Sequence, residues 1–143
     1  MFLRQLCLVT ALALLGAASV ASAAPPVTTE TSRDVGFGFR EVLRDEPNPP
    51  GAFEAVGHFR FLYYRDQQLS QFDIYSIAPT GRYAVFQDGP SGDIVLFVTK
   101  SRNRRVLRKY PGALVTRFTW EHGEHAVILE FGSKAKPIRA SVE

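Results

Sequence analysis

The densest group of reactive side chains in this sequence is cationic. Six lysine and arginine residues fall within positions 100–109, with no acidic residue among them. They are Lys100, Arg102, Arg104, Arg105, Arg108 and Lys109. Such a run favours contact with an anionic surface such as lipid phosphate, lipopolysaccharide or an acidic protein. The alternative is structural, because lysine and arginine on an edge strand discourage aggregation between sheets.

A second cluster combines histidine with glutamate over residues 121–125. Imidazole and carboxylate are ligands for zinc or copper, which makes His122 and His125 the candidate metal ligands. The helical zinc motif, however, spaces its histidines four residues apart, whereas these are three apart across Gly123. The sequence therefore predicts ordinary turn residues and assigns no metal or cofactor.

Catalytic signatures are weak in this chain. The only cysteine is Cys7, and there is no Gly-x-Ser-x-Gly nucleophile elbow. Carboxylate pairs such as Asp45 and Glu46 could act as general acid and base, but such pairs occur in any chain of this composition and do not indicate an active site. The sequence favours a non-catalytic protein, with a metal-dependent or hydrolytic enzyme as an alternative.

Aromatic side chains offer a further possibility. If the strands closed into a barrel, several of them could line a cavity for a small molecule or a lipid. If the strands do not close into a barrel, these aromatic side chains are expected to fill the core. They are Phe59, Phe61, Tyr63, Tyr64, Tyr75 and Tyr83.

The first 23 residues have the pattern of a secretory signal peptide. Arg4 precedes an apolar stretch from Leu6 to Val20, and Ala21-Ser22-Ala23 places small residues before a cut after Ala23. The apolar stretch is shorter than the roughly 20 residues that span a bilayer. The sequence therefore predicts a periplasmic or secreted protein, with no transmembrane segment after removal of the signal.

The remaining residues suffice for one domain. They contain no cysteine, so packing must stabilise the fold without disulfides. Residues 24–93 hold six basic and ten acidic side chains, whereas residues 94–143 hold ten basic and four acidic ones. The positive field is expected in the C-terminal half.

The polar, proline-containing segment 24–33 predicts a flexible leader before a single all-β domain over 34–143. A strand is expected across Val35–Phe39, and 53–64 fits either a helix or a strand, with its aromatics and Gly57 favouring the strand. Apolar runs at 83–86, 94–98 and 126–129 predict strands covered on both faces. With further candidate strands at 69–77, 106–110, 115–120 and 137–142, the sequence predicts an antiparallel meander of about eight strands.

Two stretches of this chain repeat a turn-and-strand pattern. Gly81 and Gly123 lie 42 residues apart, and each is followed after two residues by Ala-Val. A period near 40 residues with short strands is typical of propeller blades.

The first copy, over about residues 76–131, resembles the TolB-type β-propeller repeat. Its matching positions are Pro79, Gly81, Arg82, Phe86, Ser91-Gly92, Ile94 to Val98, Arg104-Arg105-Val106-Leu107 and Trp120. Thr80 and His122 stand where that repeat has aspartate. The chain has room for fewer than three blades, so it is either a blade-like fragment of a larger assembly or a small barrel or sandwich with blade-like hairpins.

Together these patterns predict an exported, non-catalytic domain that contacts a protein or an anionic envelope component. A membrane surface and self-association remain open as partners. Nucleic acid is not expected, because there is no recognition helix and the compartment is unsuitable. The alternative is a small-molecule or lipid-binding barrel.

Overall fold

The computed structural model describes residues 27–132 and 135–143, which form ten strands and one turn of 3-10 helix. The predicted signal peptide lies outside the described residues. The strands are β1 (Thr29–Gly36), β2 (Phe39–Pro47), β3 (Val56–Tyr64), β4 (Gln67–Ile77), β5 (Tyr83–Asp88), β6 (Ile94–Val98), β7 (Asn103–Arg108), β8 (Val115–Trp120), β9 (Ala126–Phe131) and β10 (Ile138–Ser141). The 3-10 turn is His122–Glu124. The all-β prediction is confirmed.

The strands form two antiparallel sheets. Strands β1 to β7 follow one another in sequence order in a seven-stranded meander, and the smaller sheet has the order β10-β9-β8. The predicted meander is therefore confirmed, with ten strands instead of about eight. No helix in residues 27–132 or 135–143 is long and apolar enough to cross a membrane.

The large sheet folds over itself at β4. The first half of β4 pairs with β3 and the second half with β5, and the β4–β5 register shifts between Phe72 and Ile74. As a result, Phe39 on β2 meets Phe97 on β6 edge to face, with ring centroids 6.0 Å apart. Tyr64 lies 5.3 Å from the same Phe97 ring. Aromatic rings thus fill the space between the two halves of the sheet.

Within residues 27–132 and 135–143 the large sheet does not close into a barrel, because β1 and β7 remain its two edges. The aromatic side chains that could have lined a barrel cavity are also dispersed. Tyr64 is buried in the core, whereas Tyr63 and Phe61 lie on the outer face under the guanidinium groups of Arg40 and Arg44, at 4.2 and 4.7 Å. The barrel hypothesis therefore loses its structural basis.

Strands β5 and β6 are covered on both faces, as their apolar runs predict. One face, including Phe86 and Phe97, joins the core between the halves of the large sheet. The opposite face, including Val85 and Ile94, packs against the small sheet. Because both faces are buried, neither strand alternates apolar with polar residues.

Two expectations about the beginning of the domain are wrong. Residues 29–33 are not part of a flexible leader, because they belong to β1 and pair with β2 from Thr29 to Asp34. Ion pairs between Arg33 and Glu41 (2.7 Å) and between Arg44 and Glu30 (3.2 Å) support this exposed, polar strand.

The single strand expected across Val35–Phe39 is instead interrupted by the turn between β1, which ends at Gly36, and β2, which begins at Phe39. Gly36 and Gly38 have φ values of 92° and 83°, and Phe37 between them has a φ of 55°. Glycine adopts such values without the steric cost that a side chain brings, so the two glycines turn the chain here. By contrast, the preference for a strand over 53–64 is confirmed from Val56 onward.

Candidate functional site

The basic residues lie along one edge of the large sheet. Lys100 and Arg102 occupy the turn between β6 and β7, Arg104, Arg105 and Arg108 lie on β7, and Lys109 follows it. All six side chains belong to exposed residues. The segment is therefore a solvated edge of the sheet. This is expected both for a site that contacts an anionic surface and for an edge whose charges discourage aggregation.

The cations do not form a single patch. Successive side chains of a strand point to opposite faces, and Arg104 and Arg105 follow this rule. The Arg104 guanidinium donates a hydrogen bond to the carbonyl of Leu69 on β4, whereas Arg105 donates to the carbonyl of Val142 after β10. Each arginine thus ties β7 to a different neighbouring element.

Two more of the cations have partners within the chain. Lys109 Nζ lies 3.0 Å from a carboxylate oxygen of the buried Asp93, whose other oxygen accepts from the Tyr110 amide at 2.9 Å. Arg102 lies 4.0 Å from Asp66 across an exposed turn. In the described parts of the chain, Lys100 and Arg108 make no ion pair, so their charge is available to a partner.

Strand β7 also presents its backbone. It pairs with β6 from Asn103 to Arg108, and no strand in the described residues pairs with its other side. An edge strand of this kind exposes a row of N–H and C=O groups. The site therefore combines unpaired backbone groups with positive charge on both faces, a combination that suits an extended acidic segment.

A cleft beside Arg104 holds Asp88. Burial disfavours the charged carboxyl group, but hydrogen bonds from Ser70 and Ser91 and the nearby Arg104 charge outweigh it and lower the pKa of Asp88 below its usual value. The Ser91 hydroxyl and amide lie 2.6 and 3.0 Å from the same carboxylate oxygen.

This lowered pKa predicts a pH dependence of stability. The ionised Asp88 stabilises the fold above its unfolded pKa of about 3.9, and this contribution is lost as the pH falls through the lower folded-state value. In Asp88→Asn, we expect the free energy of unfolding to fall less steeply with acidification. Urea unfolding at several acidic pH values measures this dependence. An equally steep fall of the unfolding free energy in the unmodified protein and in Asp88→Asn would contradict the prediction.

The two copies of the repeated turn pack against each other. Both side-chain oxygens of Glu124 accept hydrogen bonds from Thr80, one from its amide at 2.8 Å and one from its hydroxyl at 2.7 Å. Glu124 is only 6% exposed. Thr80 thus serves as the donor that holds the second turn.

The candidate metal ligands are not brought together into a metal site. His125 Nδ1 lies 2.5 Å from a side-chain oxygen of Glu143, and His122 lines a groove between the two turns. In residues 27–132 and 135–143, no group of three or more histidine, cysteine or acidic side chains has the geometry to hold a metal.

Sequence reasoning missed Gln87, the one fully buried glutamine of the structure. Its Nε2 donates to the carbonyls of Gly92 and Ala113 at 3.0 and 3.2 Å, and its Oε1 accepts from the Val115 amide at 2.8 Å. It therefore joins the β5–β6 turn to the start of the small sheet. The only available signal was a polar residue at the end of an apolar run.

Comparison with known proteins adds no family to this geometry. No protein-family model matches the chain, and no match is found among curated proteins or solved structures.

Proposed function

We propose that this chain is an exported, non-catalytic binding domain of the bacterial envelope that contacts a protein or an anionic envelope component. The observation that carries the proposal is the position of β7. It is an edge strand with exposed backbone groups, and the six cations of residues 100–109 lie on it or next to it in sequence. The signal-peptide pattern of residues 1–23 supports export.

The geometry favours an acidic, extended segment of a partner protein. Such a segment would add to β7 as a further strand, and its backbone would bond to the open edge. Acidic side chains on both faces of the added strand would meet cations on both faces of β7. A flat charged surface would meet the cations on one face only. Lys100 and Arg108 contribute most to this attraction because their side chains bond to no other described residue, whereas Arg104 and Arg105 donate to backbone carbonyls and Arg102 and Lys109 are ion-paired.

Charge reversal at these two positions tests the proposal. We expect Lys100→Glu with Arg108→Glu to weaken binding of the synthetic eight-residue peptide Glu-Glu-Val-Val-Glu-Glu-Val-Val, which carries glutamate on both faces of an extended strand, at least about tenfold at low salt. The loss should shrink as salt screens the charges. Isothermal titration calorimetry measures the affinity, and the same peptide with lysine in place of glutamate should not bind.

A matched control separates local charge from net charge. Arg60→Glu with Lys136→Glu makes the same change in net charge at exposed residues outside the segment 100–109 and should bind the peptide like the unmodified protein. Equal losses in both double variants would contradict a site at β7. Binding to vesicles of anionic phospholipid without binding to the peptide would identify the partner as an envelope component.

A further inference from the structure

The turns that carry Thr80 and Glu124 border a groove that shares no lining residue with β7. Its volume is about 500 Å³, within the range of small-molecule sites. The side chains that give it chemical character are Arg82, Trp120, Glu121 and His122.

The walls of this groove are fixed before any ligand arrives. The Trp120 ring stacks on Tyr83 with centroids 6.2 Å apart and planes 17° apart, and its Nε1 donates to the Ser76 hydroxyl at 3.2 Å. The bonds between Thr80 and Glu124 hold one turn against the other. A preorganised site loses less conformational entropy on binding.

The acidic groups at the groove each have a partner among the described residues. Glu121 is paired with Arg139 at 2.7 Å, and Glu124 is satisfied by Thr80. Glu143, a further acid near Arg82, accepts from His125. Among the described residues Arg82 has no ion pair, and its only side-chain hydrogen bond goes to the Tyr83 hydroxyl at 3.1 Å. The Arg82 guanidinium therefore remains free to pair with a carboxylate.

We propose that this groove binds an acidic sugar, a pyranose ring that carries a carboxylate. The carboxylate would pair with Arg82, and the apolar C–H face of the ring would lie on Trp120. The groove is open to solvent, which suits a ligand whose hydroxyl edges stay in water. An aromatic acid would instead require an enclosed apolar pocket.

The single tryptophan of the chain makes the test direct, since Trp120 fluorescence reports on this groove alone. We expect glucuronate to change the fluorescence with a dissociation constant of about 1 mM, and glucose to bind at least tenfold more weakly. The amide signals of Thr80 and Gly123 should shift in NMR spectra on the same titration.

Variants locate the interaction. Arg82→Gln should weaken glucuronate binding at least tenfold, whereas Arg60→Gln, an exposed arginine on β3, should leave it unchanged. Thermal unfolding of both variants checks that the fold is intact. A second variant, His122→Gln, should keep the discrimination between glucuronate and glucose, because Arg82 supplies the charge.

Four results would overturn the inference. They are no response to glucuronate at about ten times the expected dissociation constant, equal affinity for glucose, equal affinity for benzoate, and NMR shifts confined to residues 103–108. Because the groove and β7 share no residue, the proposal for β7 stands or falls separately.

Discussion

Replacing Gln87 with leucine is expected to lower the free energy of unfolding by about 3 kcal/mol. The side chain is fully buried and makes three hydrogen bonds, to Gly92, Ala113 and Val115. Leucine has a similar size but no polar atom, so it would leave two carbonyls and one amide without these partners. Each buried polar group left unsatisfied costs about 1–3 kcal/mol, and partial relaxation lowers the sum.

Equilibrium unfolding in urea measures this effect. Gln68→Leu is the matched control, because Gln68 is exposed and only accepts a hydrogen bond from the Tyr63 hydroxyl. The control should change stability by less than about 0.5 kcal/mol. If Gln87→Leu were as stable as the control, the junction between the sheets would not depend on this residue.

Glu124→Ala is expected to lower the free energy of unfolding by about 2–3 kcal/mol. It removes both acceptors of Thr80 at a buried position. Alanine keeps the side-chain constraint at the positive φ of 59°, so the variant isolates the lost hydrogen bonds from backbone strain.

A double-mutant cycle with Thr80→Val assigns this loss to the contact. The valine removes the hydroxyl donor but keeps the backbone amide, so the two substitutions should couple by about 1 kcal/mol. Additive effects of the two substitutions would show that Glu124 stabilises the turn by another route. Glu124→Gly, which relieves the positive φ, should be less destabilising than Glu124→Ala.

These two contacts matter to the proposed site because they hold the two sheets together. Gln87 connects β5 to the start of β8, and Thr80 with Glu124 connects the turn before β5 to the turn after β8. Arg105 of β7 in turn contacts Val142 beyond the small sheet. The edge strand is therefore held in place by the same packing that these variants would weaken.

The strands of the core follow from local sequence, whereas β1 does not. Runs such as Ile94–Val98 are apolar throughout because both faces are buried, and that pattern is visible in the sequence itself. Strand β1 is polar and exposed along almost its whole length. It forms through pairing with β2 and the ion pair between Arg33 and Glu41, and such contacts leave no periodic signal.

The basic site was only half visible in the sequence. The run of cations located the segment, but the faces of Arg104 and Arg105 depend on where β7 begins, and a shift of one residue would exchange them. The partners Asp66 and Asp93 come from distant turns. Glu124 and Thr80, 44 residues apart, meet only because the sheets bring their two turns together.

The most direct test of the central claim is amide hydrogen exchange along β7, followed by NMR with and without the peptide Glu-Glu-Val-Val-Glu-Glu-Val-Val. Only every second residue of an edge strand directs its amide outward, away from the neighbouring strand. We predict that the peptide slows exchange at these alternate amides within residues 103–108 and leaves the edge strand β1 unchanged. Unchanged exchange along β7 at saturating peptide, or protection of β1 instead, would contradict the account.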